Sequence, residues 1–267
     1  MISFNTESNT SLLQQVQNKQ ESILEKLASG KRINSAADGA AAQQIIDRLT
    51  TQVEGNRQAI SNAYDGVSLT QVAEGGLSGI NEDVNRIREL SVQSGNGLLN
   101  DADRRAIQSE VTQLQENISQ TIEQTQFAGK SLLSSDGNID FQIGANAGQK
   151  IAVETQDIAA GLSDILNVDL STAQGAEDAL AIADTASEFV GGARADLGAT
   201  QNQFESAARN LTQSDVNISA ARSRIQDTDF ALATSENATA NISSESSIAI
   251  QNIANQQQGQ VLSLLNG

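Results

Sequence analysis

The chain has no cysteine, no histidine, no proline and no tryptophan in 267 residues. Each absence removes a class of chemistry or structure. Without cysteine there is no disulfide framework and no thiolate nucleophile. Without histidine the commonest general base and metal ligand is missing, so Ser-His-Asp and Cys-His arrangements and HExxH or zinc-finger spacings cannot be built. Without proline nothing interrupts a long helix at a cost of about 3 kcal/mol. Aromatic residues are 3% of the chain, so a core must come from Ile, Leu, Val and Ala.

Positive charge is also scarce. Sixteen basic residues face 33 acidic ones, a net charge of −17. That balance argues against nucleic acid or an anionic membrane as partner, and it makes copies of the chain repel one another at low salt. No run of about 18 apolar residues occurs, so no membrane insertion is expected. The start, MISFNTESNTSLLQQ, lacks the basic region and apolar stretch of a secretory signal. An exported form would need another route.

Catalytic constellations are missing. There is no S-x-x-K pair, and the carboxylate pairs Asp101/Asp103 and Asp227/Asp229 read as solvated helix ends. Asp101 does not open a calcium loop, because Arg105 and Ala106 hold its fifth and sixth positions. The glycines at Gly75 and Gly76 lack the lysine of a phosphate loop and read as a register adjustment between packed helices. No catalytic, cofactor or metal site is expected, and the chain does not read as an enzyme.

What is present is helical periodicity. Val190, Leu197, Phe204, Leu211, Ile218 and Ile225 stand at a spacing of seven, each followed three positions later by a small residue. A large stripe beside a small one lets a neighbouring helix approach closely, and a sustained seven-residue repeat implies left-handed supercoiling. With Ser171 or Thr172 as N-cap, this helix runs to Ile225, roughly 80 Å. Ile46, Val53, Ile60 and Val67 form an earlier stripe that resumes at Leu77, Ile80, Val84 and Ile87 and ends near the glycines of SGNGLLND. A third helix begins after Asn100 or Asp101 with the stripe Ile107, Val111, Leu114, Ile118 and Ile122. Ile139, Phe141 and Ile143 alternate with polar residues, as do Ile151 and Val153, and GANAGQ supplies the turn of a small β-hairpin. The fold class expected is mainly α, an elongated helical bundle or coiled coil with a small hairpin region.

Both ends carry narrow stripes. Leu12, Val16, Ile23 and Leu27 form one, and Ile250, Ile253, Val261, Leu262, Leu264 and Leu265 form the other. Helices with such weak stripes are marginal in water. The ends are therefore expected to be mobile in a free monomer and to become helical when packed against other chains. Between the first stripe and the bundle lies LASGKRINSAAD. Gly30 should stop the first helix, and Ser35 to Asp38 form a capping-box variant that starts the second.

These residues resemble bacterial flagellin. LASGKRINSAADGAAAQQIIDRL, NAYDGVSLTQVAEGGLSGINEDVNRIRELSVQSGNG and QTQFAGKSLL are similar to its N-terminal region; ARADLGATQNQFE, NISAARSRIQDTDFA and the closing VLSLL are similar to its C-terminal region. The resemblance implies a structural subunit of the flagellar filament, located outside the cell, that polymerises with itself through its terminal stripes. It implies an inner coiled-coil polymerisation domain, 1–40 with 226–267, and an elongated bundle domain, 41–225, with the hairpin patch at about 133–171. The outer variable domains of longer flagellins look absent. It further implies export unfolded through the flagellar type III apparatus with a chaperone on the C-terminal region, hook-associated and cap proteins as partners, and a surface read by Toll-like receptor 5 at Arg86, Leu90 and Glu110. A hook–filament junction protein of the same export family is the alternative reading. The chain departs from the family at Asp38 to Ala42, where DGAAA replaces DDAAG, and in the polar segment that precedes the last stripe.

Overall fold

The computed structural model describes residues 6–265, with side chains described at 11–253, 255–257 and 260. In chain order the elements are α1 (Thr6–Ser29), α2 (Ala36–Ser94), α3 (Asp101–Gln124), β1 (Gln126–Phe127), β2 (Lys130–Ser131), β3 (Ser134–Gln142), β4 (Lys150–Asp157), α4 (Ile158–Gly161), α5 (Ser163–Leu166), α6 (Ala173–Gln226) and α7 (Phe230–Leu265). The fold is mainly α, as the periodicities predict, with the expected β3–β4 hairpin and a second, short β1–β2 hairpin. The chain forms two compact units: 54–215, and 1–53 with 216–267.

Unit 54–215 holds the large core. From α2 come Leu77, Ile80, Val84, Ile87 and Leu90; from α3 Val111, Ile118 and Ile122; from α6 Val190 and Phe204, all buried. Upstream of Val190, α6 buries Ala176, Ala179, Ala183 and Ala186 at alternating spacings of three and four. Alanine there lets the helices approach closely and retains the best intrinsic helix propensity.

The earlier stripe differs from its sequence reading. Ile46 and Val53 are buried, but Ile60 and Val67 are only half-buried, and Ala59, Ala63 and Gly66 point inward in their place. The cause is Phe204. A Cβ at Gly66 would lie 2.5 Å from the Phe204 ring, and the same ring meets Phe141 edge-on at 5.3 Å. Small residues on α2 make room for one large ring from α6. Beyond it, Leu211 is only half-buried.

Helix ends follow local chemistry. Asn100 caps α3: its Oδ1 accepts from Ala102 N and Asp103 N at 2.8 and 3.0 Å, and Asp103 Oδ2 accepts from Asn100 N at 3.1 Å. Both arms of a capping box are formed. Thr172 Oγ1 accepts from Gly175 N at 3.0 Å and caps α6. At Gly76 a Cβ would meet Thr125 Oγ1 at 2.5 Å, so this glycine admits the chain that leaves α3.

The main hairpin pairs β3 with β4, placing Ile139 opposite Val153 and Phe141 opposite Ile151. Asn62 on α2 donates to the Gln142 carbonyl at 2.8 Å and fixes the hairpin to the bundle. The expected patch ran to about 171; the paired strands occupy 134–157, and two single-turn helices follow. Ile158, Leu162 and Ile165 anchor those turns in the core. The short β1–β2 hairpin has no counterpart in the sequence reading. Its turn is Ala128-Gly129, both at positive φ (49° and 79°), and it lacks the Asn-Gly or Asp-Gly that marks such turns.

Candidate functional site

The connection between α1 and α2 is built to cap another helix. Gly30 ends α1 in the left-handed region at φ 69°, where a Cβ would be strained, and the Phe230 ring lies 3.6 Å from where that Cβ would stand. Lys31 pairs with Asp227 in an antiparallel bridge. Thr228 N–H donates to the Gly30 carbonyl at 3.0 Å, and Arg32 N–H donates to the Gln226 carbonyl at 2.6 Å. The Arg32 guanidinium donates to the Ile225 carbonyl at 2.8 Å. The Ile225 and Gln226 carbonyls belong to the last turn of α6, where no intrahelical donor remains. A cation at that end also complements the helix dipole.

Asp38 serves the other side of the connection. Its Oδ2 accepts from Ser35 N and Asn34 N at 2.9 and 3.0 Å. Those backbone donors hold its carboxyl below the usual carboxylate range. The Ser35 hydroxyl donates to the same oxygen at 3.2 Å rather than accepting from the Asp38 N–H, so one arm of the expected capping box forms and the other does not. Gly39 then takes an extended φ of 162° and interrupts α2 just after its first turn. Asp229, expected as a solvated helix end, caps α7 through Ala231 N and Leu232 N at 3.0 and 3.2 Å.

α1 and α7 pack antiparallel: Gln20 bonds Asn241, while Gly30 lies beside Phe230. The side of α1 turned inward is Leu13, Val16, Gln20, Ile23 and Leu27, of which Ile23 is fully buried. The inward side of α7 is Ala233, Asn237, Ala240, Ser244, Ser247 and Gln251. That seam is small and polar, and Asn237 Oδ1 is buried without a hydrogen-bond partner.

The large apolar residues of α7 whose side chains are described face outward. Leu232, Ile242, Ile248, Ile250 and Ile253 are 59, 65, 45, 55 and 56% exposed. Of the expected polymerisation residues, Val16, Ile23 and Leu27 lie in the α1–α7 seam, whereas Leu12, Ile250 and Ile253 are exposed. The side chains of Val261, Leu262, Leu264 and Leu265 lie outside those described. Leu13 joins the seam in place of Leu12, one position away, and Leu24, Leu232, Ile242 and Ile248 extend the exposed apolar set. Of the outward isoleucines of α7, Ile250 and Ile253 belong to the terminal stripe read from the sequence, whereas Ile242 and Ile248 were missed because polar and small residues surround them.

The second expected site is a surface ion cluster on α2 and α3. Arg86 donates from Nη2 and Nε to Glu110 Oε1 at 2.8 and 3.1 Å, and from Nη1 to Glu89 Oε2 at 2.9 Å. The Glu110 and Glu89 carboxylates raise the already high pKa of the guanidinium. Leu90 is not with them at the surface: it is 1% exposed and belongs to the core. Asn117 donates to Asp83 Oδ2 at 2.7 Å nearby, and partial burial raises the Asp83 carboxyl despite that bond.

Among the described residues no group of His, Cys, Asp or Glu could hold a metal ion, and no helix is long and apolar enough to cross a membrane. What the structure offers instead is helical surface, and the comparison with known sequences bears on that surface. Residues 2–137 match the bacterial flagellin N-terminal helical region, and residues 180–265 match the bacterial flagellin C-terminal helical region.

The chain belongs to the flagellin family. Flagellin from Bacillus subtilis is 38% identical over 277 aligned residues, covering 91% of each chain. The flagellar filament 30.7 kDa core protein of Treponema maltophilum is 37% identical over 91% of each chain. The crystal structure of Bacillus cereus flagellin superposes with a TM-score of 0.53 at 25% identity, covering 61% of this chain and 94% of that one. The Bacillus subtilis and Treponema maltophilum proteins align over most of their own length, and the family's two helical regions match most of this chain. It is a structural subunit of the bacterial flagellar filament.

Proposed function

We propose that this subunit assembles by burying the outward apolar faces of α7 and α1 against neighbouring copies. The observation that carries the reading is the α1–α7 pair: a small, polar seam inside, and Phe230, Leu232, Ile242, Ile248, Ile250 and Ile253 of α7 outside. An exposed apolar set of that size on a soluble monomer calls for a partner. Fully burying such a side chain contributes about 1.5–3 kcal/mol, so several per subunit offset the repulsion between copies carrying −17 each. Salt screens that repulsion over about 8 Å at physiological strength, and assembly should improve as salt rises.

In this reading 1–40 and 226–267 form the inner polymerisation domain and 41–225 the elongated bundle domain, and the filament lies outside the cell. The role is mechanical rather than catalytic. Membership in the flagellin family supports export through the flagellar type III apparatus with a chaperone on the C-terminal region, and contact with hook-associated and cap proteins. The exposed Arg86–Glu110 pair offers Toll-like receptor 5 a polar contact, while Leu90 supports that face from within the bundle. The end-to-end likeness to filament proteins favours the filament subunit over the hook–filament junction protein.

The test is sedimentation and electron microscopy of the full chain and of a form ending at residue 247. The full chain should give long filaments after salt or seeding, and the shortened form should stay in the supernatant. Filaments formed equally well by the shortened form would contradict the mechanism.

A further inference from the structure

The loop between α2 and α3 places an asparagine, a glycine and a buried arginine in an arrangement that bears on spontaneous backbone chemistry. Asn96 and Gly97 are both exposed. Beyond its chain neighbours nothing stands within 4 Å of where a Gly97 Cβ would be, and glycine carries no Cβ of its own to crowd its amide nitrogen. Asn96 Oδ1 accepts from Leu98 N at 3.1 Å, which folds the carboxamide back along the chain. The backbone carbonyl of Asn96 accepts from Leu99 N at 3.1 Å and from Arg104 Nη2 at 3.1 Å, and Arg104 is 6% exposed.

We propose that Asn96 is a self-modification site, at which the chain converts Asn96 to isoaspartate under the direction of Arg104. In the first step the Gly97 nitrogen attacks Asn96 Cγ. A new N–Cγ bond forms, the Cγ–Nδ2 bond breaks, and ammonia leaves with the proton from the Gly97 amide. The product is a five-membered succinimide. Water then opens the ring at one of two carbonyls. Attack at the side-chain carbonyl restores the normal backbone and leaves aspartate. Attack at the former backbone carbonyl breaks its bond to the Gly97 nitrogen and routes the chain through Cβ and Cγ. The old backbone carbonyl is then a free carboxylate, and one proton goes to solvent.

Arg104 already donates to that carbonyl. Negative charge develops on its oxygen during attack, and a guanidinium in a largely water-excluded position stabilises such an oxyanion. The carboxylate that results is a charge-assisted partner for the same guanidinium, which a neutral carbonyl is not. Both effects act on one of the two ring openings only. The product ratio should therefore lean further towards isoaspartate than that of the same segment without tertiary structure.

The experiment is peptide mapping by mass spectrometry of the full chain held at mildly alkaline pH, with isoaspartate separated from aspartate by fragmentation. The same chain in urea serves as the unstructured reference. Asn96 should deamidate about tenfold faster than Asn138 or Asn146, which precede residues with a Cβ that shields the amide. The isoaspartate share at 96 should be higher in the folded chain than in urea. Arg104→Gln should bring the folded ratio down to the urea value, Arg104→Lys should keep part of the bias, and Gly97→Ala should slow the whole reaction. If Arg104→Gln does not fold, the folded-against-urea comparison on the unaltered chain still decides. Asn96 reacting no faster than Asn138, or equal ratios in folded and urea samples, would overturn the proposal.

Discussion

Residues 54–215 and the paired ends differ in where their large apolar side chains go. In the first unit Leu77, Ile80, Val84, Ile87 and Leu90 of α2 and Val111, Ile118 and Ile122 of α3 meet an alanine stripe and the Phe204 ring from α6, and these side chains are buried. In the second, α1 contributes a narrow apolar stripe, α7 answers with Ala, Asn and Ser, and the isoleucines of α7 stand in solvent. The first arrangement can be stable in a single chain. The second leaves its best hydrophobic surface unburied until another copy arrives. One polypeptide thus carries a finished core and an unfinished one, and the unfinished one is what makes a subunit.

The contrast is broken most severely at the outward face. Ile250→Asp with Ile253→Asp should abolish filaments seen by electron microscopy, while the melting curve of the monomer shifts by no more than about 0.5 kcal/mol. A matching loss of monomer stability would show that these residues serve the isolated chain instead. Next comes the finished core. Phe204→Ala removes the ring seated between Gly66 and Phe141 and should cost about 3–5 kcal/mol in denaturant unfolding of the bundle. Ile23→Ala, in the α1–α7 seam, should cost about 2 kcal/mol, at the low end for such truncations, because its neighbours on α7 are small.

A smaller effect sharpens the comparison from the other side. Asn237→Leu replaces a buried carbonyl that has no partner and should stabilise the α1–α7 pair by about 1 kcal/mol, read by circular dichroism of the monomer. If the variant is less stable, the polar seam is contributing contacts that the structure does not contain. The smallest effect concerns acid. Backbone N–H bonds depress the Asp38 carboxyl in the folded chain. Its contribution is therefore present above the ordinary carboxylate range and is lost as pH falls through the depressed value. Asp38→Asn should lower the melting temperature near neutrality, and the gap from the parent should close in strong acid.

Much of this was legible from residue order. The heptad from Val190 to Phe204, the stripe of α3, the Asn100 and Thr172 caps and the Ile139–Val153 hairpin all follow from spacing and capping chemistry. Where the reading slipped, tertiary context decided. Ile60 and Val67 keep the seven-residue spacing, yet Phe204 arrives from 138 positions beyond Gly66 and takes the place beside it. Leu12 and Leu13 are adjacent, and only the partner helix determines which turns inward. The β1–β2 turn uses Ala128 at positive φ, which no propensity favours. The use of Arg32 as a cap on α6 depends on two segments 193 positions apart meeting at one point.

The central claim is that the α1–α7 pair is completed only by neighbouring copies. Amide hydrogen exchange, read residue by residue in a dilute monomer and again in the filament, tests it most directly. The account predicts fast exchange along α7 in the monomer, slow exchange across residues 77–90 and 176–204, and strong protection of α7 once filaments form. Protection of α7 in the dilute monomer equal to that of the bundle would contradict it.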